Sequence, residues 1–241
     1  MSSRPSPVYA SPSPTYESYT PSSSSSSSIY GGTSSYPPPR KVWVDPKNLA
    51  DCGDASQIQG NVSPYVKQLI LNTFVAYGAG DEHCFGHSVA KAVKFIDISA
   101  HESHEKQGRM EATTIAEVIV SKSMLNGAGM LHGGCLAFLI DNCCSTPLVT
   151  LGLLQNINGV GVTQSMNIIF HSPGSVYVDV TNSHRYPLTL ITSGSCLRII
   201  STSIAMGGRI MSARCEVINK KTGSVVASAY LNKMQPAMSK L

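Results

Sequence analysis

The stretch Asn126-Gly-Ala-Gly-Met-Leu-His-Gly-Gly-Cys-Leu-Ala-Phe-Leu-Ile-Asp141 decides how this chain is read. It joins a glycine-rich loop to an apolar run that carries one carboxylate. Gly133 and Gly134 fall at the first turn of a predicted helix, where unpaired backbone N–H groups and the positive end of the helix dipole collect. Bare glycine backbone can lie close to a ligand oxygen that is gaining negative charge. Asp141 is the next polar group along a run of Cys, Leu, Ala, Phe and Ile. A lone acid in such surroundings is costly unless something uses it.

The spacing constrains what the two ends can do together. Gly133 and Asp141 are eight residues apart, which at helical rise is roughly 12 Å. A backbone donor and a general base acting on one carbonyl must each stand about 3 Å from the reacting group. One helix therefore cannot bring both to the same substrate. If both are catalytic, Gly133 of one chain works with Asp141 of a second, which predicts an obligate dimer with two symmetry-related sites. The alternative is that Asp141 caps a local backbone group or faces solvent, and the pattern alone does not choose between them.

Outward from this stretch the chain reads as α+β. The helix should run from Gly133 to near Leu151, with Pro147 kinking or loosening its last turns. Strand-like segments precede it at 91–98 and 112–124 and follow it at 159–170, 197–205, 209–219 and 224–233. In 209–219 the alternation is clean, with Met211, Ala213, Cys215 and Val217 inward. In 159–170, Val160, Val162, Met166, Ile168 and Phe170 share one face, and Gly161, Thr163, Ser165 and Asn167 the other. A helix apolar on nearly every side must be wrapped, and a curled antiparallel sheet around it satisfies that demand. Upstream, Ser63-Pro64 reads as an N-cap and first helical position. Val66, Leu69, Ile70, Phe74 and Tyr77 then recur at helical spacing, with Gly78 and Gly80 closing the helix. We expect it to pack across a sheet edge or an interface, and residues 47–62 to form a loop.

The two ends of the chain differ in composition from its middle. The first 40 residues hold 15 serines, eight of the 14 prolines and five of the ten tyrosines. Such a segment cannot bury enough apolar surface to offset its ordering entropy and reads as a disordered arm. Residues 41–89 form a linker with the accessory helix, and 90–236 the main domain. The net charge is +4, an excess that suits an anionic ligand and argues against a nucleic-acid partner. No apolar run of membrane-spanning length and no signal peptide are read. The seven cysteines form no CxxC pair or framework, which fits a reduced intracellular compartment. The terminal Ser239-Lys240-Leu241 is a receptor-read peroxisomal address. We expect peroxisomal localisation through an import receptor, or the cytosol if the signal is unused.

Other constellations are weaker. His83-Cys84-Phe-Gly-His87 and His101-Glu-Ser-His104 match no standard zinc spacing, and no metal is expected. Gly86-His-Ser88 lacks the strand–turn–helix of a nucleophile elbow. There is no phosphate-binding Gly-Lys-Ser/Thr loop and no dinucleotide fingerprint, and no cofactor is expected. His132 before the helix either transfers a proton or holds the loop behind it. Asn126 either forms the turn or contacts a substrate carbonyl.

The pattern Asn126-x-x-Gly129-x-Leu131-His132-Gly133-Gly134-x-x-Ala137-x-x-x-Asp141 resembles the hotdog-fold acyl-CoA thioesterases of the phenylacetate-pathway and thioesterase-superfamily-member type. Gly161-Val-Thr163-x-x-Met166-Asn167-Ile168 and Ser172-Pro173 extend the match, which covers roughly residues 90 to 235. The resemblance implies hydrolysis of a fatty acyl-CoA by a homodimer, arranged as a dimer of dimers. It implies that Gly133 N–H, with Asn126 in support, polarises the thioester carbonyl. Asp141 of the partner chain would activate water or attack directly, Thr163 would orient the water, and His132 would mainly hold the loop. Gly134 would line the substrate, and Arg209 and Lys233 would rim the site for the CoA phosphates. Where the family has more often Ser, this chain has Thr163, and the hydroxyl is retained.

One segment departs from the family. Between Pro173 and Cys196 only a short turn is expected, yet residues 175–194 intervene; they are either a true insertion or absent from the processed message. A non-catalytic acyl-CoA-binding hotdog protein is the alternative function. A hotdog hydratase or dehydratase is a further one, whose catalytic-His motif is not found.

Overall fold

The computed structural model describes residues 44–171 and 191–235. The serine-rich arm, Ser172-Pro173, most of the 175–194 segment and Ser239-Lys240-Leu241 lie outside the described residues. Helix α1 (Pro64–Phe74) is capped by Ser63, whose hydroxyl accepts from Val66 N. A π-helical turn, Val75–Ala79, extends it to Gly80, where φ is +55°. Short helix α2 (His87–Lys91) leads to the hairpin of β1 (Lys94–Ser103) and β2 (Arg109–Ile119). Helix α3 (Gly133–Gln155) follows, then β3 (Val162–Phe170), β4 (Cys196–Met206), β5 (Ile210–Asn219) and β6 (Val225–Met234).

The strands form one six-stranded sheet in the order β1-β2-β4-β5-β6-β3, antiparallel throughout. Alternation sends Leu197 and Ile199 of β4, Met211, Ala213, Cys215 and Val217 of β5, and Ala229 and Leu231 of β6 to the buried face. That face lies against α3, which carries the fully buried Leu139, Ile140, Leu148 and Leu151. α3 is, contrary to the reading of apolar runs, long and apolar enough to cross a membrane. However, 67% of its most apolar window is buried inside the protein, as the core helix of a wrapped sheet must be.

One expectation changes, and two elements gain detail. Pro147 does not loosen the helix, which runs on to Gln155 and ends at Asn156 in the left-handed region. Proline withholds the N–H that Cys143 O would have accepted, but the Thr146 hydroxyl donates to that carbonyl at 2.6 Å. Thr114 Oγ1 stands 2.7 Å from the same hydroxyl and supports it from β2. Helix α1 packs on α3, and Phe74 stands edge-on to Phe95 of the edge strand β1 at 5.0 Å. Residues 47–62 form the expected loop, and it is anchored. Gln59 bridges to β1 through Gln59 N to Ile96 O and Ile98 N to Gln59 O, beside a bulge at Ile96. The buried Lys67 ammonium donates to Ile58 O and Gly60 O, fastening that loop to α1.

The end of the atypical segment belongs to the fold. Ile191 is buried, and its carbonyl accepts from Leu131 N. Gly194 N donates to Val120 O. Residues 191–194 therefore brace the loop that leads into α3.

Candidate active site

The loop before α3 is built by Asn126. Its side-chain Oδ1 accepts from Ala128 N at 3.0 Å and Met130 N at 3.2 Å. Its backbone pairs with Met130 O, and Gly129 N donates to Asn126 O. With Oδ1 committed to the loop, the amide NH2 is the end left to meet a ligand. Gly129 sits at φ +78°, which a side chain would strain.

His132 is the N-cap of α3, with Nδ1 accepting from Gly134 N at 2.9 Å. This bond fixes the neutral tautomer with its proton on Nε2. It also consumes the Gly134 N–H. Gly133 N–H, one residue earlier, has no protein acceptor among the described residues. It points from an exposed helix start, with Phe170 the nearest side chain to where a Cβ would stand. The unpaired donor that the sequence places at this turn is thus Gly133, and its neighbour is spent on the cap.

Asp141 lies two turns along the same unbroken helix. Thr163 Oγ1 donates to its Oδ1 at 2.6 Å, the short length of a charge-assisted bond. Strict alternation had put Thr163 on the face opposite Met166. A bulge at Gln164, between the pairs Thr163–Lys233 and Ser165–Asn232, resets the register. Thr163, Met166 and Ile168 consequently face the helix together, and Val162, Ser165, Asn167 and Ile169 face outward.

Lys233, expected at the solvent rim, points inward. It is paired across the sheet with Met211 and Thr163, and its Nζ donates to Ser145 Oγ at 2.8 Å. Ser145 Oγ in turn donates to Asp141 O at 2.6 Å. Burial pushes the Lys233 pKa down, and the Asp141 carboxylate and Cys144 thiol pull it back up. Arg209 is exposed in the β4–β5 turn, where its carbonyl accepts from Gln235 N.

Asp141, Ser145, Thr163 and Lys233 line a cavity of about 320 Å³. Helix α1 and its π turn supply the opposite wall with Ile70, Phe74 and Tyr77. Neither Ser145 nor α1 was picked out from sequence as part of a site. Ser145 sits at i+4 from Asp141, so helical spacing puts the two on one face. Lys233 follows Ala229 and Leu231 at period two, a pattern that already assigns it inward. Among the described residues no three His, Cys, Asp or Glu side chains cluster as metal ligands, and His87 Nδ1 is bonded to Ala79 O.

A six-stranded antiparallel sheet wrapped around one long helix, with a carboxylate on that helix opening into a cavity, is the hotdog architecture. Among solved structures the chain is similar to thioesterase superfamily member 2 from zebra fish, at 18% identity over 70% of this chain and 96% of that one, with a TM-score of 0.50. The mouse protein of that name has 20% identity over 73% and 100%, at 0.49. A hypothetical thioesterase from Streptococcus pneumoniae TIGR4, solved with coenzyme A, has 21% identity over 52% and 79%, at 0.40. No family model and no curated protein matches the chain. The likeness to the zebra fish structure shows that this chain has the hotdog fold.

Proposed function

We propose that this chain hydrolyses acyl-CoA thioesters to the free acid and CoA, at a site shared between two chains. The observation that carries the reading is the Asp141–Thr163 pair opening into the cavity, on the same unbroken helix as the unpaired Gly133 N–H. Gly133 N–H, with the Asn126 amide in support, polarises the thioester carbonyl. Thr163 holds Oδ1 of Asp141, which leaves Oδ2 to take a proton from water as its oxygen adds to the carbonyl carbon. The C–S bond then breaks, and the proton passes to the departing CoA thiolate. The two halves are separated along α3 by roughly 12 Å, so in this mechanism each serves the partner chain's other half, and the proposed site requires a dimer.

The acyl group enters the cavity between α1 and α3. The cavity volume is about 320 Å³. Ser239-Lys240-Leu241 would direct the protein to peroxisomes, which a fluorescent fusion with and without that tripeptide would test.

The deciding experiment is thiol release from a panel of acyl-CoAs by the wild type and by Asp141→Ala. Equal rates would sink the mechanism, and no release from any ester would favour an acyl-CoA-binding module. Mixing Asp141→Ala with Gly133→Val should restore activity in hybrid dimers. No recovery would count against the shared site.

A further inference from the structure

We propose that Lys233 is a positioning residue: its half-buried, inward-pointing ammonium, acting through Ser145, fixes the turn of α3 that presents Asp141 and faces that carboxylate across the cavity. This rests on the hydrolytic reading above but assigns Lys233 a different task from holding CoA phosphates. A phosphate ligand has to stand where a phosphate can reach it, at the solvent rim. Lys233 instead occupies the helix-facing register of β6, between Thr163 on β3 and Met211 on β5.

Its bonds define a short chain of contacts. Lys233 Nζ donates to Ser145 Oγ at 2.8 Å, and Ser145 Oγ donates to the Asp141 carbonyl at 2.6 Å. Thr163, which opposes Lys233 across the β3–β6 ladder, grips the other end of the same residue through Oδ1 at 2.6 Å. Asp141 is thereby held by its backbone and by its side chain, and both holds lead back to the Thr163–Lys233 pair. The other inward lysine, Lys67, is saturated by two backbone carbonyls, while Lys106 and Lys220 pair with Glu111 and Glu117 on the surface. Lys233 has neither arrangement. Among the described residues it closes no direct ion pair, and Asp141 is the carboxylate that faces it from the cavity wall. A buried charge is costly unless an opposite charge answers it, and here the answering charge is the reactive one.

The groups around Lys233 separate its titration from theirs. Asp141 and Cys144 face it from α3, Cys215 from β5 behind Cys144, and Tyr77 from the turn after α1. A hydrogen bond to Cys215 and burial push the Cys144 thiol well up, and burial pushes Tyr77 up. Lys233 moves the opposite way, down from the ordinary lysine value. Raising the pH would remove the ammonium charge that faces Asp141, and that loss is the alkaline limb the proposal expects.

Three measurements test the assignment. Lys233→Met should lower kcat by about 10- to 100-fold, the scale of a misplaced catalytic group, with KM within about twofold of the wild type. Lys233→Arg should restore much of kcat and carry the alkaline limb of the pH profile to higher pH. A raised KM with unchanged kcat would make Lys233 a CoA ligand and overturn the proposal. The third measurement needs no turnover: the lysine side-chain NMR signal of Lys233 should titrate at lower pH in Asp141→Asn than in the wild type, because the coupling is reciprocal. Identical titrations overturn the proposal whether or not the protein hydrolyses anything. A shifted titration in a protein that releases no thiol would uphold the Lys233–Asp141 coupling and remove the hydrolytic reading.

Discussion

Replacing Thr163 with valine removes one hydroxyl and keeps the shape of the side chain. The lost bond is the 2.6 Å donation to Asp141 Oδ1 from a half-buried strand position. Hydrogen bonds to a charged partner contribute about 1.5–3 kcal/mol, so if the bond is formed in the transition state, kcat/KM should fall about 10- to 150-fold at 1.36 kcal/mol per decade. Thr163→Ser retains the donor and should stay within about threefold of the wild type, since only a methyl is lost and no reacting group moves. The assay is steady-state thiol release on the best acyl-CoA of the panel, with the melting temperature measured alongside. Valine suits a strand at least as well as threonine, so the fold should survive and the loss should appear in kcat. A Thr163→Val protein within twofold of the wild type, when Asp141→Ala is inactive, would refute the pairing as part of the mechanism.

Other substitutions read the frame around the site. Gly159→Ala would drive a Cβ into the backbone of α3, 2.9 Å from Val149 Cα; urea unfolding should show a loss of about 1–3 kcal/mol, the usual cost of overpacking. Ser201→Ala removes a buried hydroxyl with no partner among the described residues, and the same assay should show unchanged or slightly raised stability. Glu117 is pushed up by burial, but hydrogen bonds from Lys220 and Arg198 outweigh that and hold its carboxyl below the usual range. A depressed carboxylate stabilises the folded state fully at neutral pH and loses that effect as pH falls through its folded value. The stability gap between wild type and Glu117→Gln should thus be present at pH 7 and close as the pH drops below about 4. A gap that persists unchanged in acid would mean the ion pairs contribute nothing.

Much of this was legible because apolar periodicity is local. The alternation of 209–219 assigned Met211, Ala213, Cys215 and Val217 inward, and all four are buried. Ser63 and Pro64 marked the start of α1 by a capping rule that needs only neighbouring residues. What failed depended on partners distant in sequence. Pro147 reads as a kink or a loosening of the last turns because the Thr146 hydroxyl that replaces its missing donor, and the Thr114 that steadies it, cannot be weighed from composition. The Gln164 bulge has no glycine or proline to announce it, and it reverses the facing of everything before it in β3. The resemblance implies a rim position for Lys233, although its period-two register with Ala229 and Leu231 points inward. There the pattern was the better guide than the resemblance.

The bulge connects these points to the chemistry. In an unbroken strand, a residue two before Ser165 would share its outward face, and Thr163 would look away from α3. One extra residue at Gln164 turns Thr163 inward while Met166 and Ile168 keep their places against the core, so the strand meets two demands that strict alternation sets against each other. It also brings Thr163 opposite Lys233, which places a donor and a cation side by side on neighbouring strands, both aimed at one turn of the helix. Asp141 can then be tolerated in an apolar helix because that turn is held from its carbonyl through Ser145 and from its carboxylate through Thr163. The lone acid that first marked this helix out is thus supported by two strands near the end of the chain. In the proposed shared site, the glycine donor two turns away would serve a second chain.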